Sequence, residues 1–200
     1  MARLKYNKKR LLQILMAGRG EVKLEDNALR EMVRCYESCA CWDGIIDGLE
    51  FLLEDDPHDH WILVQVAHAY YEKECNEKAL KYITAAMRVQ YECAAAQWLL
   101  AAILRMRGQH ADALEIWETL ITNGASQMAQ GKCICCREYY SWGTRKIADA
   151  KYMLSLTNSD LGYMSQARYW RDAYRLDLEE GAESMMDGSF LDREIERNGG

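Results

Sequence analysis

The sequence predicts an all-α fold in which one helical hairpin is used repeatedly. Three observations lead there. The dipeptides Ala79-Leu80 and Ala113-Leu114 lie 34 residues apart, and one more step back by the same period reaches Ile45-Ile46. After each, apolar residues keep the i, i+3/i+4, i+7 spacing of a helix that buries one face: Leu49, Leu52 and Leu53; Ile83, Ala86 and Met87; Trp117, Leu120 and Ile121. The 200 residues hold a single Pro, where about 5% is usual, which speaks against a Pro-rich or turn-dense β chain.

Composition sets the outer bounds. Half of the residues are hydrophobic and 28% are charged, enough for a sizeable core in one domain or two very small ones. No stretch approaches the roughly 18 apolar residues of a membrane-spanning helix. Residues 1–23 carry seven Lys/Arg against one acid, Glu21, while the other 177 carry 18 basic and 30 acidic side chains. An acidic body repels phosphates, so no nucleic-acid or membrane partner is expected. Eight Cys occur in a chain with too much apolar residue content to need disulfide staples, and a cytoplasmic location is expected.

Residues 1–25 read as a basic N-terminal helix and linker. The apolar run 11–17 is interrupted by Gln13 and ends at Arg19 without a signal-cleavage pattern, and Leu4, Leu11, Leu12 and Leu15 share one helical face. Three copies of the hairpin follow at 26–59, 60–93 and 94–127. Their first halves align as Met32/Val33/Tyr36, Val66/Ala67/Tyr70 and Leu100/Ala101/Leu104. The small residues Ala67, Ala101, Ala79 and Ala113 stand where two helices must approach closely. One hairpin cannot bury its own apolar face, so the copies must stack. Glu50, Glu54, Asp55, Asp56 and Asp59 read as a solvated acidic face.

Residues 128–180 are expected to hold a degenerate fourth copy and a capping helix. In that register Ile134 and Cys135 belong to a first helix, residues 141–145 turn around Gly143, and Ile147, Ala148 and Leu154 belong to a second. Thr157-Asn158-Ser159-Asp160 reads as the cap of a further helix over 161–178. Residues 181–200 read as a weakly ordered tail with a short amphipathic piece around Phe190 and Ile195.

The segment Tyr70-Tyr71-Glu72-Lys73-Glu74-Cys75-Asn76-Glu77-Lys78-Ala79-Leu80-Lys81-Tyr82 resembles the core of a tetratricopeptide repeat. So does Gly108-Gln109-His110-Ala111-Asp112-Ala113-Leu114-Glu115-Ile116-Trp117, and Asp56-Pro57 ends the first copy where that family places Pro. Departures are Ile45 in a small-residue slot, Glu74 where the turn Gly is usual, and Tyr91 and Ala125 in place of the later Pro residues. The resemblance covers about residues 26–127. It implies a right-handed superhelix of hairpins whose first helices line a concave groove. In that register the groove presents Arg30, Arg34, Trp61, Val64, His68, Tyr71, Trp98 and Arg105. Asn27, Glu37 and Ala102 stand beside them, then Lys132, Cys136 and Tyr139. Aromatic residues and Arg dominate protein interfaces, so the groove suits an extended or helical segment of a partner protein with apolar anchors.

The family's Lys/Asn/Arg clamp for a C-terminal carboxylate is largely missing here. Arg30 and Arg34 can replace its first pair, but His68 stands in the Asn slot, and Trp98 and Ala102 replace the later basic pair. A groove for an apolar peptide, as in bacterial secretion chaperones of similar length, is the closer analogy.

Chemistry finds few candidates. Cys35 and Cys39 share a helix face with Cys41 nearby, and Cys133, Cys135 and Cys136 contain a C-x-x-C. A closed zinc site needs four ligands and each cluster offers three. His58, His60, His68 and His110 are scattered, and the phosphate-loop, zincin and nucleophile-elbow motifs are absent. No enzyme, metal or cofactor is expected. Two functional readings follow: a module that captures a segment of another protein in its groove as an adaptor or chaperone, or a subunit that self-associates, as a homodimer through its terminal helices at 3–15 and 161–178.

Overall fold

The computed structural model describes residues 26–129, 140–184 and 186–199, with side chains from Leu29 to Asn123 apart from Glu31, and from Arg145 onward. All of the regular structure described is helical. The helices are α1 (Asp26–Ser38), α2 (Trp42–Leu53), α3 (His60–Glu72), α4 (Asn76–Val89), α5 (Ala94–Met106), α6 (His110–Ala129), α7 (Tyr140–Asp160), α8 (Met164–Glu179) and α9 (Gly188–Gly199). Each packs against the next in the chain, and the odd-numbered helices α3, α5, α7 and α9 also touch in succession.

The helices end in one way, which the 34-residue period repeats. After α1, the amides of Ala40 and Cys41 donate to the carbonyls of Glu37 and Tyr36, both at 2.9 Å. After α3, Glu74 and Cys75 donate to Tyr71 and Tyr70; after α5, Gly108 and Gln109 donate to Arg105 and Leu104, again at 2.9 Å. This pair of bonds satisfies the last free carbonyls of a helix and requires a left-handed residue at its centre. Ala40 has φ 52°, Glu74 φ 58° and Gly108 φ 76°. Glu74 therefore does hold the glycine position of the turn, against its own steric preference.

Exposed ion pairs keep the same step. Lys73 pairs with Asp43, and 34 residues on Arg107 pairs with Glu77. They stand in solvent, so they mark the register rather than hold it. The core does the holding. Ala67, Ala79, Ala101 and Ala113 are fully buried, and Leu49, Ile83, Ile103, Trp117 and Leu120 fill the layers between them. Ile45 is equally buried in the slot the other copies fill with Ala, while at Gly44 an added Cβ would lie 2.7 Å from the Tyr36 ring. Asp59 starts α3 by accepting the Ile62 amide at 2.9 Å, directly after the turn that holds Pro57.

The fourth hairpin departs from the expected register. Gly143 lies inside α7, so no turn forms at 141–145. The turn comes at Gly162, φ 77°, with the same two bonds: Gly162 to Ser159 at 3.0 Å and Tyr163 to Asn158 at 2.8 Å. The cluster Thr157, Asn158, Ser159 and Asp160 thus closes α7 instead of opening a helix. Its first two members bond back into the helix, Thr157 to the Met153 carbonyl and Asn158 to that of Leu154. Such back-bonding lets polar residues sit buried at a helix end.

The segment read as a weakly ordered tail contains α9. Asp187 accepts the Ser189 amide at 2.9 Å, and Leu191 and Ile195, one turn apart, bury completely against α7 and α8. Phe190 stays 41% exposed. The expected N-terminal helix at 1–25 and the first helix around Ile134 and Cys135 lie outside the described residues.

Candidate functional site

The expected groove residues that are described fall on α1, α3 and α5, and the two ends of that set differ. At the α1 end, Arg30 is buried with its guanidinium 5.1 Å from the centre of the half-buried Trp61 ring. One turn along α1, Arg34 is exposed, and the next turn brings Glu37 to His68 of α3. His68 lies between two carboxylates, Nδ1 at 3.5 Å from Glu37 and Nε2 at 3.4 Å from Glu72. Its ring meets Trp42 of α2 edge-on at 5.8 Å. Burial is the largest influence on His68 and pulls its pKa down, but the bonds and charges of Glu37 and Glu72 outweigh it, so the net shift is upward. Glu72 is lowered in turn, first by its bond to His68. Tyr71, half-buried beside it, has its hydroxyl pKa raised by burial.

At the α5–α7 end the expected lining packs against the chain's own α7. Trp98 is 5% exposed, and Lys146 of α7 lies over its ring at 3.9 Å. Burial lowers the Lys146 pKa, and Asp149 at 3.9 Å partly offsets this. Arg105 donates to the Thr157 hydroxyl at 3.0 Å and pairs with Asp160, which ties α5 to the end of α7. Val64 and Ala102 are buried in the core. Of the expected lining, Arg34, Trp61, His68 and Tyr71 therefore reach the surface, whereas Val64 and Trp98 do not. Arg30 and Arg105 serve contacts between helices. Lys132, Cys136 and Tyr139 lie outside the described residues, as does the side chain of Asn27.

Both tryptophans expected to greet a partner thus carry a cation of their own chain, a contact worth up to about 2 kcal/mol where water is excluded. Sequence reasoning missed Trp42, Glu72 and Lys146. The i, i+4 spacing of His68 and Glu72 carried the signal for one of them. Lys146 was hidden because the fourth hairpin breaks the period: α7 runs from Tyr140 to Asp160, and its turn comes at Gly162 rather than around Gly143.

A cleft of about 340 Å³ adjoins Trp61, lined among others by Leu29, Arg30, Asp59, His60 and Val89. His60 donates its Nδ1–H to the Ala86 carbonyl at 3.1 Å, joining α3 to α4. Outside this face, Tyr70 and Tyr82 stack at 5.7 Å and both donate to one Glu50 oxygen at 2.8 Å. Burial and that carboxylate push Tyr82 up to about 12 and raise Tyr70 as well. Among the described residues, no three His, Cys, Asp or Glu side chains stand together so as to hold a metal ion, and no helix is long and apolar enough to cross a membrane. Cys93 is buried, as expected of a packing cysteine, but Cys35, Cys39, Cys41 and Cys75 are exposed. Neither a scan against protein-family models nor a search of curated proteins finds a match to this chain.

Proposed function

We propose that the chain is a protein-interaction module: a tetratricopeptide-like stack of helical hairpins that captures a segment of a partner protein on the α1–α3 part of its inner face. Three features support the hairpin stack: the recurrence of one turn at Ala40, Glu74 and Gly108, the ion pairs Asp43–Lys73 and Glu77–Arg107 one period apart, and the succession of contacts along the odd-numbered helices. The observation that carries the site is the contrast between the two ends. Trp98 and Arg105 are committed to α7, while Arg34, Glu37, Trp61, His68, Tyr71 and Glu72 keep part of their surface in solvent. An aromatic patch ringed by both signs of charge suits a short amphipathic segment in an adaptor or chaperone-like role.

The test is capture from host lysate with the wild-type chain beside an Arg34→Glu/His68→Ala variant whose circular dichroism and melting are matched. A dominant co-purifying protein lost with the variant supports the reading. An unchanged set of captured proteins removes the inner face from consideration. A second reading, a self-associating subunit, is favoured by the exposed Leu161, Tyr163, Tyr169 and Leu176 at and along α8. Sedimentation of a Tyr169→Glu/Leu176→Glu variant decides it, since a dimer through this face becomes a monomer.

A further inference from the structure

The exposed cysteines at the end of α1 carry an inference independent of the peptide-binding reading. Cys35 and Cys39 lie one helical turn apart on one face, where Cβ atoms stand about 5–6 Å from each other. The Cys39 side chain leans back along the helix: its S–H donates to the Cys35 carbonyl at 3.0 Å. Cys41 lies beyond the left-handed Ala40, at the start of α2, with its S–H directed at the Cys39 carbonyl at 3.8 Å. All three thiols are free and exposed. Cys39 follows the last helical residue, Ser38, so its backbone can adjust without unwinding a full turn.

We propose that Cys35 and Cys39 form a dithiol site for a trivalent thiophilic centre of the organoarsenical class. A direct disulfide needs Cβ atoms about 3.5–4.5 Å apart, closer than one helical turn supplies. A bridging atom inserts two bonds between the sulfurs and removes that demand. The step balances without an oxidant: an arsenic(III) oxide takes two thiols, two As–S bonds replace As=O, and the oxygen leaves as water with both thiol protons. Arsenic stays trivalent. Cys41 is not the partner, because Cys39 points back toward Cys35 and the chain reverses at Ala40. Cys75 opens α4 as Cys41 opens α2, but with no second thiol one turn away, and it serves as the internal control.

The experiment uses the full chain and phenylarsine oxide. Thiols left reactive after the arsenical are alkylated; the arsenical is then stripped with a competing dithiol, and the released thiols take an isotopically heavier alkylating label. Trypsin cuts after Arg34 and Lys73, so Cys35, Cys39 and Cys41 share one peptide, separate from Cys75 and from Cys133, Cys135 and Cys136. The expected result is heavy label at Cys35 and Cys39, several-fold above that at Cys41 and Cys75. Cys39→Ser should abolish protection of Cys35, and Cys41→Ser should leave it intact. Equal early alkylation of Cys35, Cys39 and Cys75 would overturn the proposal. So would protection that disappears with Cys41→Ser but survives Cys35→Ser.

Discussion

Glu74 carries a local strain that one substitution can relieve. Its φ of 58° is set by the two bonds that end α3, not by its own side chain. Glycine meets no Cβ conflict there but loses more chain entropy on folding. Glu74→Gly should stabilise the chain by about 0.5–1 kcal/mol, read as a higher urea midpoint at unchanged slope. No gain would mean that this turn relaxes in solution.

His68 gives a second prediction at this scale. Glu37 of α1 and Glu72 of α3 face its nitrogens, Trp42 of α2 faces its ring, and the Lys146 charge on α7 acts on the neighbouring Glu72. Its folded pKa is raised, so its contribution is fully present below the unfolded value near 6.5 and is lost as pH rises through the folded value. Wild type should be more stable than His68→Gln below about pH 6, and the difference should shrink as pH rises through the raised value. Urea titrations of the two chains across that range measure it; a pH-independent difference would show that the carboxylates do not hold the proton.

Among the elements, α9 shows how little pattern is needed once a surface waits to be covered. Twelve residues with a polar majority form a helix because Leu191 and Ile195 fall on the exposed flank of α7 and α8, and Tyr174 is hydrogen-bonded to Ser184 and Met186 in the connecting segment. Leu191→Ala should cost about 2–4 kcal/mol, the usual loss for a fully buried leucine. A change below about 0.5 kcal/mol, typical of a surface site, would show that α9 does not pack in solution. The α7 helix makes the opposite point: Gly143 and the polar run 157–160 both look like breaks, yet the buried side of α7, from Ala148 through Tyr152 to Thr157, holds the helix through to Asp160.

For the whole molecule, stacking of neighbours predicts how damage spreads. Where each hairpin contacts only the next, destabilisation stays local. Ala101 is fully buried in α5, midway along the chain. Ala101→Leu should overpack the contact by about 1–3 kcal/mol. Hydrogen exchange should then rise in α3–α7, while the loss from Leu191→Ala stays in α7–α9. An equal rise along the whole chain would identify a single cooperative globule instead.

The sequence alone determined the helical class, the 34-residue step and the buried small residues, because each is written in local spacing. Ala67, Ala79, Ala101 and Ala113 have to be small wherever two helices touch, and the i, i+3/i+4 pattern states which side is turned inward. It also pointed to Arg34, Trp61, His68 and Tyr71, which keep part of their surface exposed. Only the tertiary structure decided which of the expected residues stay exposed. Trp98 occupies the register of Arg30 and Val64, a slot buried in all three copies. Arg105, however, occupies that of Glu37 and Tyr71, which keep part of their surface exposed. The α7 helix comes to lie across both Trp98 and Arg105, with Lys146 over the ring and Thr157 and Asp160 on the guanidinium. Local spacing cannot anticipate that contact, because it joins residues about fifty positions apart and depends on a fourth hairpin that breaks the period.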